Sequence, residues 1–319
     1  MNLDITCISM NPSQQGFWDG EGTEWRFWPA CDYPATQKQI VEANKIRFWV
    51  ETEGLGSPLV LIHAGPGIDH RVFHPEMSRL AQGHQLIYYD LRGHYMSSEP
   101  ADPTDYGLEQ DARDLEALRQ AMALQHIDVL GFSYGGAVAL KYASLFPEHL
   151  SHLIVCSTPV GMTIEESKRH AQSHPLSQAI AQAKDPQERK ELFWRLYFHK
   201  PLRPECLRYQ ELVQQAYDTG KNRRLLAGYN ANNKLEREWD GLMQEPPRIE
   251  VPVLFIFGRH DYLISLERAH RWVAHLKQAE IAIFEESSHH PFVDEPEAFA
   301  QLVSAFLNTK CARAINTGR

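Results

Sequence analysis

The chain lacks the features that mark nucleic-acid-binding, membrane-spanning and secreted proteins. It has no basic cluster able to follow a phosphate backbone, and its formal net charge of −9 opposes one. No apolar run approaches the roughly 20 residues that a bilayer-spanning helix requires. The opening residues, Met1-Asn2-Leu3-Asp4-Ile5-Thr6, contain no basic segment of the kind that starts a secretory leader. Cysteine is scarce: Cys7, Cys31, Cys156, Cys206 and Cys311 have neither metal-ligand nor redox spacing. They read as reduced thiols, so the expectation is a cytoplasmic protein without metal, cofactor, nucleic-acid or membrane partner. There is no internal repeat and no low-complexity segment. What is present is ordinary for a globular chain, 43% hydrophobic and 23% charged, over 319 residues that can bury a large core.

The most informative segment is Gly131-Phe132-Ser133-Tyr134-Gly135. An apolar, β-prone run, His126 to Leu130, precedes it, and Gly136 to Phe146 reads as a helix. Strand, sharp turn and helix are the context in which Gly-x-Ser-x-Gly becomes a nucleophile elbow, with small residues at 131, 135 and 136 relieving the turn. A serine hydroxyl is a poor nucleophile until a base takes its proton. Downstream, the strand-like Ala279–Phe284 leads into a loop with His289 and His290, and Val251–Phe257 leads into Gly258-Arg259-His260-Asp261. Ser133, Asp261 and His289 thus fall at three strand ends in the chain order Ser, Asp, His. Upstream, the strand Pro58–Ile62 runs into His63-Ala64-Gly65-Pro66-Gly67. A tetrahedral oxyanion needs preorganised amide donors, each worth roughly 2.7–4 kcal/mol. Gly65 and Tyr134 are the candidates.

These motifs resemble those of the α/β-hydrolases, and most of all the prolyl aminopeptidase (proline iminopeptidase) family. Its His-Gly-Gly-Pro-Gly loop corresponds to His63–Gly67, its Asp-x-Arg-Gly-x-Gly-x-Ser segment to Asp90–Ser97, and its Gly-His-x-Pro loop to Ser288–Pro291. The match covers about residues 40–308. Ala64, Tyr95 and Ser288 each stand where the family has glycine; at Tyr95 a side chain is strained if the position needs φ > 0. The resemblance implies an α/β fold, with a mostly parallel central sheet flanked by helices and a helical cap inserted after the sixth strand. It places the base at His289, two residues before Pro291, with His290 as the competing imidazole. Asp261 has rivals in Asp294 and Glu295. The implied activity is that of a serine hydrolase acting through an acyl-enzyme. An aminopeptidase releasing an N-terminal residue such as proline comes first. A carboxylesterase, lactonase or carbon–carbon-bond hydrolase with the same triad is the alternative. A small-molecule or short-peptide substrate is expected, and a homo-oligomer is left open.

The expected organisation is an N-terminal extension over 1–36, a hydrolase core over 37–159 and 247–309, a helical cap over 160–246 and a tail over 310–319. The extension contains Phe17, Trp18, Trp25, Phe27 and Trp28, apolar enough to strap over the core first of all, or else to line the site or cover a partner. The cap segment is polar and helix-prone. Its acids, Glu165, Glu166, Glu188, Glu191, Glu205, Glu211, Glu236 and Glu238, offer partners for a substrate ammonium, though none matches a family position. Phe193, Trp194, Tyr197, Phe198, Tyr209, Tyr217 and Tyr229 suit either a pocket wall or the core between cap helices.

Overall fold

The structure is a computed structural model that describes residues 37–217 and 220–309. The segments set apart as extension and tail therefore lie outside the described residues. Eight strands form one sheet: β1 (Gln37–Ala43), β2 (Ile46–Glu53), β3 (Ser57–Ile62), β4 (His84–Tyr89), β5 (Ile127–Phe132), β6 (Leu150–Cys156), β7 (Val253–Gly258) and β8 (Ala279–Phe284), in the order β1-β2-β4-β3-β5-β6-β7-β8. Only β2 runs against its neighbours; every other pairing is parallel. A parallel strand with both faces covered must be apolar on both. All six residues of β5 and all six of β7 are buried, whereas β1, at the sheet edge, is largely exposed.

Alternate residues divide the core between the two faces of the sheet. Val60, Ile62, Ile87, Tyr89 and Val129 pack beneath α1 (Leu108–Ala121), α2 (Tyr134–Leu145) and α9 (Leu266–Val273). Leu59, Leu61, Leu86, Tyr88 and Leu130 face Phe73, Met77 and the apolar side of α11 (Pro296–Leu307). Each such fully buried aliphatic side chain contributes about 1.5–3 kcal/mol against chain entropy.

Between β6 and β7 the chain makes six helices: α3 (Ile164–Ser173), α4 (Pro175–Gln182), α5 (Pro186–Tyr197), α6 (Pro204–Tyr217), α7 (Gly220–Tyr229) and α8 (Lys234–Gln244). Proline opens three of them, at α4, α5 and α6, where its missing N–H costs nothing. Pro175, Pro186 and Pro204, residues that would break a helix interior, are thus helix starts. A one-turn α10 (Pro291–Asp294) precedes α11. No helix among the described residues is long and apolar enough to cross a membrane.

Some boundaries differ from the sequence reading. The α1 helix begins at Leu108, because Gly107, at φ 143°, lies outside the helical region. β5 runs through Gly131 to Phe132, and α2 starts at Tyr134, so the glycines read as turn residues lie inside the elements.

The chain passes from β3 to β4 on one side of the sheet, while β5 lies on the other side of β3. Such a reversal of strand order opens a crevice at the carboxyl ends of the strands. The loops after β3, β5, β7 and β8 all emerge at that edge.

Candidate active site

The backbone of Ser133 sits at φ 54° and ψ −115°, a conformation that costs a non-glycine residue about 1–3 kcal/mol. Its surroundings hold it there. The Ser133 amide donates to the Cys156 carbonyl (2.8 Å), and Thr158 Oγ1 donates to the Ser133 carbonyl (2.8 Å). A Cβ on Gly131 would run into the Gly135 carbonyl, and one on Gly135 into the carbonyls of Ile62 and His63. One on Gly136 would meet Thr158 Oγ1. Only glycine lets the start of α2 close against both β5 and the end of β3. The strain is thereby fixed by packing on three sides, and Ser133 is left half-buried at the end of its strand.

At the end of β7 the backbone of Gly258 abuts the Ser288 carbonyl so closely that no side chain fits between them. This contact sets the Asp261 turn against the histidine loop. Asp261 Oδ1 accepts from the Leu263 amide (2.9 Å), and Oδ2 lies 2.7 Å from His289 Nδ1. The aspartate side chain is fully buried, that of His289 5% exposed. A carboxylate only accepts, so Nδ1 carries the proton and the Nε2 lone pair of the neutral ring points away from the acid. Phe132, beside the serine, packs against the same imidazole, with ring centroids 5.3 Å apart. Tyr197 and Tyr262 wall it on further sides, at 6.1 and 6.5 Å.

The competing residues are occupied elsewhere. His290 Nδ1 donates to the Tyr197 carbonyl (3.1 Å), Nε2 lies 2.6 Å from the Tyr209 hydroxyl, and the ring stacks on Phe198 at 4.7 Å. Burial, reinforced by the neighbouring His289, pushes its pKa well below the usual imidazole range. Asp294 accepts from the amides of Ser288 (3.0 Å) and His199 (3.1 Å); burial pushes its pKa up to about 6 against those bonds. Glu295 accepts from the Glu286 amide (3.0 Å) and Ser287 Oγ (2.7 Å). Both acids brace the loop from behind. Ser288 Oγ lies 2.6 Å from the Leu196 carbonyl and 3.1 Å from that of His260, so the hydroxyl replacing glycine links this loop to α5.

The glycine loop after β3 is pinned by two buried histidines. His63 Nε2 accepts from the Leu91 amide (3.0 Å), and His94 Nε2 accepts from the Gly67 amide (3.2 Å). A Cβ on Gly65 would stand 3.4 Å from His94 Nε2 and 3.9 Å from Tyr134 Cδ1, so Gly65 and Tyr134 are brought side by side. Ala64 fits as a buried residue. Tyr95 does have positive φ (31°), the strain expected from replacing a glycine, and its ring lies under the Arg71 guanidinium at 4.0 Å.

Sequence reasoning missed one buried unit. The hydroxyls of Tyr134 (2.6 Å) and of Tyr229 from α7 (2.8 Å) both donate to Asp111 Oδ2. Burial pushes the Asp111 carboxyl up to about 7, with Asp114 adding to the effect and the two tyrosine bonds opposing it. The only signal available was an acid at a core-facing position of α1. Its partners lie 23 and 118 residues away, so no local pattern could connect them.

Residues 57–296 match the family model described as alpha/beta hydrolase fold. The chain is 30% identical over 277 residues to a proline iminopeptidase of Clostridium botulinum, covering 81% of this chain and 92% of that one. It is 26% identical to a proline iminopeptidase of Saccharolobus solfataricus, over 85% and 91% of the two chains. Among solved structures, an esterase from Exiguobacterium antarcticum superposes with a TM-score of 0.66 at 26% identity, over 86% of this chain and 100% of the other. A sheet of this strand order, a strained serine at the carboxyl end of β5 and a family match across three quarters of the residues lead to one placement: the chain belongs to the α/β-hydrolase fold family.

Proposed function

We propose that this protein is a serine hydrolase that works through an acyl-enzyme, with Ser133 as nucleophile, His289 as base and Asp261 orienting the imidazole. The observation that carries the reading is the 2.7 Å contact of His289 Nδ1 with Asp261 Oδ2, after β8 and β7, on the same edge of the sheet as the positive-φ Ser133 after β5. With its proton on Nδ1, His289 takes the Ser133 hydroxyl proton on Nε2 as Oγ attacks a carbonyl carbon, and the imidazolium formed is stabilised by buried Asp261. The oxyanion is received by the amides of Gly65 and Tyr134. His289 then returns its proton to the leaving group, and water repeats the cycle on the acyl-enzyme. The reaction asks for no metal or cofactor. In this reading helices α3–α8 form the cap over the crevice, and the protein works in the cytoplasm.

For the substrate, the similarity to proline iminopeptidases supports an aminopeptidase that releases an N-terminal residue, proline first. One observation favours a second reading, an ester, lactone or carbon–carbon-bond hydrolase without an amine-binding acid. Glu166 caps α3 and pairs with Arg268 (2.9 Å), and Glu238 accepts from the Glu109 amide (3.3 Å). Glu165, Glu188, Glu191, Glu211 and Glu236 are exposed, and the side chain of Glu205 lies outside those described. A panel of Pro-, Ala- and Leu-anilides, free and N-acetylated, beside p-nitrophenyl esters separates the two. The aminopeptidase reading expects acetylation to lower kcat/KM by orders of magnitude, because a buried acid then loses its ammonium partner. Equal rates on blocked and free substrates, or reaction with esters alone, would replace it with the second.

A further inference from the structure

Behind the glycine loop lies a buried polar cluster that the proposed chemistry does not use. Glu51 from β2 meets His70 and His74, which open and follow the short 3-10 turn His70–Phe73. One ligand atom from each lies within 4.8 Å of the others, and the three residues are 3%, 1% and 4% exposed. His70 Nε2 is 3.2 Å from Glu51 Oε1, and His74 Nε2 is 3.7 Å from Glu51 Oε2. Two ligands held about 2.0–2.2 Å from one tetrahedral ion stand roughly 3.3–3.5 Å apart. The observed separations are thus close to tetrahedral edges. Glu51 Oε2 is fully shielded and makes no hydrogen bond to any described residue, and the one acid facing His70 Nε2 is Glu51 itself.

The surroundings favour a cation between them. His70 Nδ1 lies 2.7 Å from Asp90 Oδ1, which fixes a ring proton on Nδ1 and leaves Nε2, facing Glu51, as the nitrogen that holds either a second proton or a metal ion. A carboxylate behind a ligating histidine is the usual outer partner of a metal site. Glu51 and Asp90 also bring two carboxylates into the interior, which a divalent ion balances in place of the second proton on His70. A second grouping, Asp69 with His70 and Asp90, shares the same histidine. There, however, Arg71 Nε and Nη2 already occupy both Asp69 oxygens at 2.8 Å, and Asp90 Oδ1 already receives the His70 ring and amide.

We infer that Glu51, His70 and His74 form a binding site for a divalent transition-metal cation of the zinc class, with Asp90 as its outer partner. Two imidazole nitrogens and one carboxylate suit this class, and a water takes the fourth position. The site joins β2 to the turn three residues beyond Gly67. It therefore braces the loop that carries Gly65, outside the reacting groups.

The test uses the untagged full-length chain, stripped with a chelator and dialysed metal-free. Zn2+ is titrated against a chromophoric chelator, and Co2+ is added in a parallel sample. One equivalent of Zn2+ per chain is expected, with the intense visible absorption of tetrahedral Co2+ and a Tm that rises with free Zn2+. Glu51→Gln, His70→Gln and His74→Gln should each weaken binding at least about 100-fold, and Asp90→Asn about 10–100-fold. Exposed His126→Gln should leave it unchanged. Zn2+ binding no tighter in the wild type than in the three ligand variants would overturn the site and leave a proton on His70 as the bridge between Asp90 and Glu51. If the variants do not fold, X-ray absorption of the zinc-loaded wild type decides. Two nitrogens and a carboxylate oxygen at about 2.0–2.2 Å support the site, and a shell of water oxygens alone overturns it.

Discussion

Replacing Asp111 with asparagine should change how stability depends on pH, and the structure supplies the size of the change. The carboxyl is fully buried under Tyr134 and Tyr229, with its pKa pushed up to about 7 from an ordinary value of 3.8. Between about pH 4 and pH 7 the unfolded chain therefore releases a proton that the folded chain keeps. Stability attributable to this group falls as pH rises through that window and is level above it. Three units at about 1.4 kcal/mol each set an upper value near 4 kcal/mol. Asparagine keeps an oxygen for the two tyrosine hydroxyls and carries no charge to desolvate. Denaturant unfolding of wild type and Asp111→Asn at pH 4.5, 6 and 8 measures the difference directly. The variant should match the wild type within about 1 kcal/mol at pH 4.5 and exceed it by about 2–4 kcal/mol at pH 8. Parallel profiles, or a wild type that gains on the variant as pH rises, would refute the assignment of a raised carboxyl at this position.

Ser133→Ala should abolish turnover with an unchanged Tm, and a fluorophosphonate should label Ser133 in step with loss of activity; a label found elsewhere by mass spectrometry counts against the nucleophile. His289→Ala should lower kcat by a factor of about 10^4 or more. His290→Ala should act mainly on stability, because its ring is spent on Tyr197 and Tyr209; kinetics and melting of both variants check the split. Gly135→Ala drives a Cβ into backbone oxygens that cannot yield, so a loss of about 3 kcal/mol is expected. Gly241→Ala in α8 meets nothing within 4 Å and should stabilise by about 0.4–1 kcal/mol in the same unfolding assay.

Much of the fold is legible in the amino-acid sequence. The elbow at Ser133 could be read because a strained turn needs small residues at fixed local offsets, and Gly131, Gly135 and Gly136 supply them. The β3, β5 and β7 strands announced themselves as apolar runs, since a strand buried on both faces has no polar option. The positive φ of Tyr95 followed from its standing where related chains have glycine. All of these are short-range constraints, written within a few residues of where they act. Choosing between His289 and His290 was another matter. Both have the same side chain, and only the distant partners, Asp261 for one and Tyr197 with Tyr209 for the other, give them different chemistry. Asp294 and Glu295 looked like rivals for the same reason, until the fold turned them onto the back of the loop. Asp111 with Tyr134 and Tyr229 left no joint trace in the sequence. Glu51 with His70 and His74 leaves only a His-x-x-x-His spacing, which by itself does not show that Glu51 faces it. The sequence determined which backbone conformations each segment could hold. The tertiary structure decided which charges and ring nitrogens face one another, because burial, hydrogen bonding and proton position depend on atoms brought together from chain positions tens of residues apart.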